Sequence, residues 1–324
     1  MTKFTFFSDF IKPFLFLIIL IDITIHLTNR YKKYLLKFTI MKDRLFNFSF
    51  SVFITCLLLC TACERNDENI TSQDITMADD DAITSLMYDQ AFTEVDMVLE
   101  QLEYVWAHSL IKKSITDTCP VIYVDHNDSV FWPKTITIDF GTDGCLGPFG
   151  TERKGEIITT ITDRYLKEGS VRAVTFDNFY INDFKIEGTK TVTNEGFNND
   201  GFMYFTVELT GGKIITPTGK EITREFSHTR TWIEGRLTPR WRWDDKYLIN
   251  GDASGINRFG KTYSRTIASP LLFETACRWI TSGVVEIQIE DHPLITLDYG
   301  NGECDDEATI TVNGETKDIK LKGR

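Results

Sequence analysis

Seven cysteines are the residues with the most chemistry to offer, and they fall into two groups. Cys56, Cys60 and Cys63 lie in or at the end of an apolar N-terminal run, whereas Cys119, Cys145, Cys277 and Cys304 lie in the body of the chain. Four thiols can hold zinc, but structural zinc sites take close-set ligand pairs such as CxxC. The body has none; the only CxxC runs from Cys60 to Cys63. Disulfides are the better reading, with three pairings open. Spacing chooses among them: Cys145 follows Cys119 by 26 residues and Cys304 follows Cys277 by 27. Each interval has a turn signal near its midpoint, Phe131-Trp132-Pro133 in one and Glu290-Asp291-His292-Pro293 in the other. Residues equidistant from a hairpin turn face each other across its strands, within disulfide reach. Cys119–Cys145 and Cys277–Cys304 are therefore expected, and such bridges persist in an oxidising compartment.

The second candidate is Arg240-Trp241-Arg242-Trp243-Asp244-Asp245. If this segment is a strand, Trp241 and Trp243 share one face, and two exposed indoles could stack on sugar rings or on a partner's apolar surface. The competing reading packs both indoles in the core with the arginines outside. Asp125-His126 and Asp291-His292 invite a metal or acid–base proposal, but they stand at different offsets from their cysteines and no third ligand is specified, so both are read as turns. Gly251-Asp252-Ala253-Ser254-Gly255 lacks the strand–elbow–helix setting of a serine nucleophile and is also read as a turn. Asp305-Asp306-Glu307 and Asn198 to Gly201 lack the ligand order of a calcium loop. No phosphate loop, dinucleotide fingerprint or zinc-protease motif is present. No catalytic residue, metal or cofactor is assigned.

Met41-Lys42-Asp43-Arg44, the apolar run through Leu57, Leu58 and Leu59, and small residues before Cys63 have the form of a secretory signal peptide over 41–62. Cys60-Thr61-Ala62-Cys63 resembles the lipobox of bacterial lipoproteins, with Cys60 where leucine is commonest. The resemblance implies cleavage before Cys63 and a membrane anchor of acyl chains such as palmitate on its sulfur. Glu64-Arg65-Asn66-Asp67-Glu68-Asn69 resembles the acidic tethers of Bacteroidetes lipoproteins, which implies the outer membrane, facing the periplasm or the cell surface. Asp22 and His26 interrupt the apolar run of residues 1–40 before the ~20 residues of a spanning helix, and because a lipoprotein signal works at the extreme N-terminus, 1–40 are read as an extension ahead of a start at Met41. The alternative is a membrane hairpin of two apolar segments.

The elements that must position these residues follow from periodicity. Residues 63–78 have few large apolar side chains and are expected to form a flexible tether. Ile83, Met87, Ala91, Val95, Leu99, Leu102, Trp106 and Leu110 recur at helical steps, which predicts an amphipathic helix over 79–113. Asp79, Asp80 and Asp81 would favour its N-terminus and Lys112-Lys113 its C-terminus. Its polar positions, among them Asp89, Glu94, Asp96, Glu100 and Glu103, are expected to face solvent.

From Cys119 to the end, 119–324, alternation at period two predicts an antiparallel β body. Gly211-Gly212, Asn250-Gly251 and Asn313-Gly314 are among its turn signals. Thr135-Ile136-Thr137-Ile138-Asp139-Phe140-Gly141 returns as Leu294-Ile295-Thr296-Leu297-Asp298-Tyr299-Gly300, so the cysteine hairpins are a duplicated unit. A fainter echo joins Gly150 to Gly155 with Gly255 to Gly260. The expected fold is mainly β: a large curved antiparallel sheet, either a sandwich or a half-barrel, with one N-terminal amphipathic helix.

The formal net charge is −12, and the first 63 residues carry a local +5, which leaves −17 on the rest. Such a surface repels phosphate backbones and excludes nucleic acid as a partner. Cys119 to Gly314, with its VTFDNFYIN, RTWIEG and CRWI segments, resembles an uncharacterised family of Bacteroidetes lipoproteins, and that resemblance brings no activity. The expectation is a lipid-anchored cell-envelope protein with a non-catalytic binding or structural role. Its partner would be a glycan held by Trp241 and Trp243, an apolar ligand between helix and sheet, or another envelope protein.

Overall fold

Apolar and polar side chains alternate along the body strands, and the structure turns that alternation into one sheet with a buried inner face. The computed structural model describes residues 70–107, 119–125, 131–238 and 241–322. Helix α1 (Ser72–Ala107) is followed by β1 (Val121–Asp125), β2 (Lys134–Asp139), β3 (Cys145–Leu146), β4 (Glu152–Ile161), β5 (Val171–Ile181), β6 (Phe184–Phe197) and β7 (Met203–Ile215). Then come β8 (Glu221–Glu234), β9 (Lys246–Ile256), β10 (Thr262–Glu274), β11 (Ile280–Ile289), β12 (Ile295–Asn301), β13 (Glu307–Val312) and β14 (Glu315–Lys320). The strands pair antiparallel in chain order, with β3 alone leaving the path to pair with the start of β4. Strands β1 and β14 are the two edges, so the sheet is open.

Two apolar clusters show where the helix sits. Met77, Ala78, Ala82 and Phe92 pack with side chains of β6 to β14, and Ile83, Met87, Ala91, Val95, Leu99 and Leu102 pack with side chains of β1 to β7. The sheet therefore curls around α1 as a half-barrel, which settles the choice between sandwich and half-barrel. Among the described residues no helix is long and apolar enough to cross a membrane.

The helix differs from its expected form in two ways. It starts at Ser72, inside the segment expected to be a tether. Thr71 and Asp74 form a reciprocal cap there: the Thr71 amide donates to Asp74 Oδ2 at 2.7 Å and the Asp74 amide donates to Thr71 Oγ1 at 3.2 Å. Nor does it have a solvent-facing acidic side. Asp74, Asp79, Asp80, Asp81, Glu94 and Asp96 are all buried; the last five each face a Lys or Arg from the strands, turns or tail around them, and Asp74 faces His292. Lys112-Lys113 and Leu110 lie outside the described residues, as do Cys63, the signal-like run 41–62 and residues 1–40.

The duplicated hairpins are β1–β2 and β11–β12. Asp139 and Asp298 occupy matching places, each accepting a hydrogen bond from the amide two residues on, Gly141 at 2.7 Å and Gly300 at 2.9 Å. Both disulfides form, with Cα–Cα distances of 6.0 Å for Cys119–Cys145 and 5.6 Å for Cys277–Cys304. The cysteines are not cross-strand partners as expected; each bridge ties the entry of a hairpin's first strand to residues beyond its second.

Three turn signals fall inside strands. Gly211-Gly212 lies in β7 at a register shift against β8, and Asn250-Gly251 and the Gly251 to Gly255 segment lie in β9. Close approach explains the glycines: a Cβ on Gly251 would stand 2.2 Å from the Ser227 carbonyl oxygen, and one on Gly188 in β6 would stand 2.8 Å from the Gly212 Cα. Such bulges and glycines let strands bend sharply enough to enclose a helix. The fainter echo is not structural, since Gly150 closes a 3-10 turn before β4 while Gly255 lies within β9.

Candidate functional site

A cleft of about 210 Å³ opens beside the C-terminal half of α1. Two short 3-10 turns shape it. The first, Pro148–Gly150, holds Phe149 in the left-handed region at φ 59°, which a bulky residue rarely adopts. Gly147 donates its amide to the Thr151 carbonyl at 2.8 Å, and Thr151 donates its hydroxyl to the Pro148 carbonyl at 2.9 Å, closing the turn. Glycine at 147 leaves room for the Arg153 guanidinium, since a Cβ there would lie 1.2 Å from its Nη1.

The second turn is Arg242–Asp244, and it replaces the strand on which the two indoles were to share a face. It also inverts the core reading. Arg242 is buried, while Trp241 and Trp243 are 63% and 49% exposed. Trp243 lines the cleft and meets Phe149 edge to face at 6.1 Å. Trp241 is exposed but is not one of the residues lining the cleft.

The cleft contains an ionic layer between its aromatic rim and the core. Arg153 reaches Glu94 at 2.8 Å. Arg242 Nη1 stands 3.0 Å from Glu100, its Nε 3.5 Å from Asp245 and its Nη2 3.8 Å from Asp96. None of its nitrogens makes a well-aligned hydrogen bond to a protein acceptor. Burial raises the Glu100 carboxyl to about 7, helped by Asp96 and Asp245 and opposed by Arg242. Burial likewise raises Asp245 to about 6, although Arg242 and the Trp232 indole N–H favour its charged form. Arg278, next to the Cys277 of the second disulfide, lines the cleft and makes no ion pair among the described residues; its guanidinium stands 5.4 Å from the Trp279 ring. Its Nε and Nη2 have no hydrogen-bond acceptor.

The other candidates are structural. His292 Nε2 lies 2.7 Å from Asp74 Oδ1, so the Asp291-His292 turn holds the start of α1. Asp125 ends β1, and His126 lies outside the described residues. Ser254 pairs with Glu225 and Ser264 within the sheet. Asn198 caps its own turn by accepting from the Asp200 and Phe202 amides, and Lys320 pairs with Asp306 and Glu307. Among the described residues no group of three or more His, Cys, Asp or Glu side chains is arranged to hold a metal.

Of the residues singled out from sequence, the cleft takes Trp243, Glu94, Glu100 and Cys277. Phe149, Arg153 and Arg278 were missed, and Arg242 was seen only as a polar neighbour of the indoles. The legible signal was the alternation of arginine and tryptophan, read with the wrong face inward. Comparison of the chain with protein-family models, with characterised proteins and with solved structures gives no match.

Proposed function

We propose that this chain is a non-catalytic binding module of the bacterial cell envelope, attached to the outer membrane by acyl chains on Cys63. In this reading the cleft beside Trp243 takes one or two rings of an acidic glycan. The observation that carries it is the pairing, in one cleft, of an exposed indole with Arg278, a cation that has no acid partner among the described residues. An indole face suits the C–H face of a sugar ring, and a guanidinium suits a carboxylate. The acids present, Glu94 and Glu100, are each engaged by an arginine, which suits binding better than acid–base chemistry.

An apolar cargo between helix and sheet has less support. The voids there beside Lys190 and beside Asp80 measure about 20 and 10 Å³, too small for an acyl chain. Titration of the protein's tryptophan fluorescence with uronic-acid oligosaccharides and with their neutral counterparts tests the reading. Binding of the acidic series, weakened at least tenfold by Trp243→Ala and by Arg278→Ala, is the expected result. Equal binding of both series, or none, overturns it. For the anchor, metabolic labelling with an alkynyl palmitate should mark the wild-type chain and not Cys63→Ala.

A further inference from the structure

A second group of buried charges lies midway along α1. Lys190 on β6, Arg224 and Arg230 on β8 and Arg265 on β10 all line one narrow void of about 20 Å³ against α1, with His228 beside them. All four cations are nearly fully buried, at 1–3% exposure for Lys190, Arg224, Arg230 and Arg265. A void of that size admits one small sphere, a water molecule or a monatomic ion, and no polyatomic anion.

The acids nearby do not balance these cations. Asp81 is shared by Arg224 and by Arg265, whose Nε lies 3.0 Å from it. Asp96 is taken by Arg172 at 2.8 Å and stands 3.9 Å from Arg230. Asp89 is the one acid lining the void, and Lys190 makes no ion pair among the described residues. Nη1 and Nη2 of Arg265, Nε and Nη2 of Arg230 and Nε2 of His228 are buried without a protein hydrogen-bond partner. The arginine N–H groups among them are donors, and leaving them buried is costly unless something accepts from them.

The acceptor must be small, must carry negative charge and must need no donor of its own. A carboxylate, phosphate or sulfate is too large for the space, and a water brings no charge. We infer that the void binds a monatomic anion, a halide such as chloride, held by Lys190, Arg230 and Arg265. The ion sits between the helix and the middle of the sheet, so it stabilises the native state and has no counterpart in the unfolded chain. This inference is independent of what occupies the cleft.

The probe is bromide. Crystals of the wild-type protein grown in sodium bromide should give an anomalous peak in the void. The melting temperature should be higher in chloride or bromide than in gluconate at equal ionic strength, by about 2–4 °C for each kilocalorie per mole of binding free energy. Lys190→Met should lower or abolish that halide dependence. Where Lys190→Met does not fold, the wild-type bromide map decides. Bromide found only on the outer surface, together with equal melting temperatures in chloride and gluconate, means that the void holds at most a water, and overturns the inference.

Discussion

Arg172 on β5 meets Asp96 on α1 at 2.8 Å, with both side chains almost entirely out of water. The guanidinium stands 4.7 Å from the Phe92 ring and 4.8 Å from the Tyr165 ring, so aromatic faces take the place of solvent around it. The arrangement repeats along the helix with a different element each time: Arg153 of β4 on Glu94, Arg224 of β8 and Arg265 of β10 on Asp81, and Arg258 of the β9–β10 turn on Asp80. A helix lying in the hollow of an open, curled sheet could slide or rotate if apolar packing alone held it. Charges placed at fixed heights oppose both motions, because any shift would leave buried charges unpaired.

Removing one partner of such a pair should therefore cost far more than its net contribution. Asp96→Ala leaves Arg172 buried without its acid and is expected to lower unfolding stability by about 3–5 kcal/mol, measured by urea denaturation. The double change Asp96→Ala with Arg172→Met should be more stable than Asp96→Ala alone. If the double change is the less stable of the two, the pair does not act as a unit.

The crowding that curls the sheet gives a second comparison. Gly251 and Gly260 both have positive φ, at 135° and 78°, but a Cβ on Gly251 would collide with the β8 backbone while one on Gly260 meets nothing within 4 Å. Gly260→Ala should cost only its backbone strain, about 1–3 kcal/mol. Gly251→Ala should cost more, in the same denaturation experiment, because β8 must also move. Equal losses would mean that the strands are free to separate there.

The strands and the bridges were legible because they rest on local rules. Alternation predicts the antiparallel β body that the strands form, β5 over Val171–Ile181 among them, and near-equal cysteine spacing identifies both disulfides. The helix was found but misplaced, since Asp79, Asp80 and Asp81 look like the acidic first turn of a helix. Their partners Lys322, Arg258, Arg224 and Arg265 lie far along the chain, and no local pattern announces them. The cleft was half legible for the same reason. Trp243 carries its own signal, whereas Phe149 acquires a role only when the Pro148–Gly150 turn comes beside it.

Lys190 should make stability depend on pH in the alkaline range. Burial lowers its ammonium from 10.5 to about 7; Asp89 and Asp96 on α1 oppose this, and Arg230 and Arg172 on the sheet reinforce it. Between about pH 7 and 10.5 the unfolded chain holds a proton on this residue that the folded chain has released, so stability rises with pH across that window. In halide-free buffer the slope should approach about 1.4 kcal/mol per pH unit, and Lys190→Met should flatten it. Stability that falls over the same range in the wild-type protein contradicts the buried lysine.

Glu100 should tune the cleft in the opposite part of the scale. Its carboxyl, raised to about 7 mainly by burial, is the nearest acid to Arg242, 3.0 Å from Nη1. Its folded value lies above its unfolded one, so its contribution to stability is complete below about pH 4.5 and is lost as pH rises through 7. The same proton governs an anionic ligand. Above pH 7 the glutamate neutralises Arg242 and repels a carboxylate; below it the acid is uncharged and Arg242 is left to attract one. Affinity for a uronic-acid oligosaccharide should thus strengthen roughly threefold or more from pH 8 to pH 6, read by fluorescence titration, with a ceiling of about tenfold per unit for one linked proton. Glu100→Gln should bind at the tighter level at both pH values. An affinity that weakens toward pH 6 in the wild-type protein, or a slope that survives in Glu100→Gln, would assign the proton to another group.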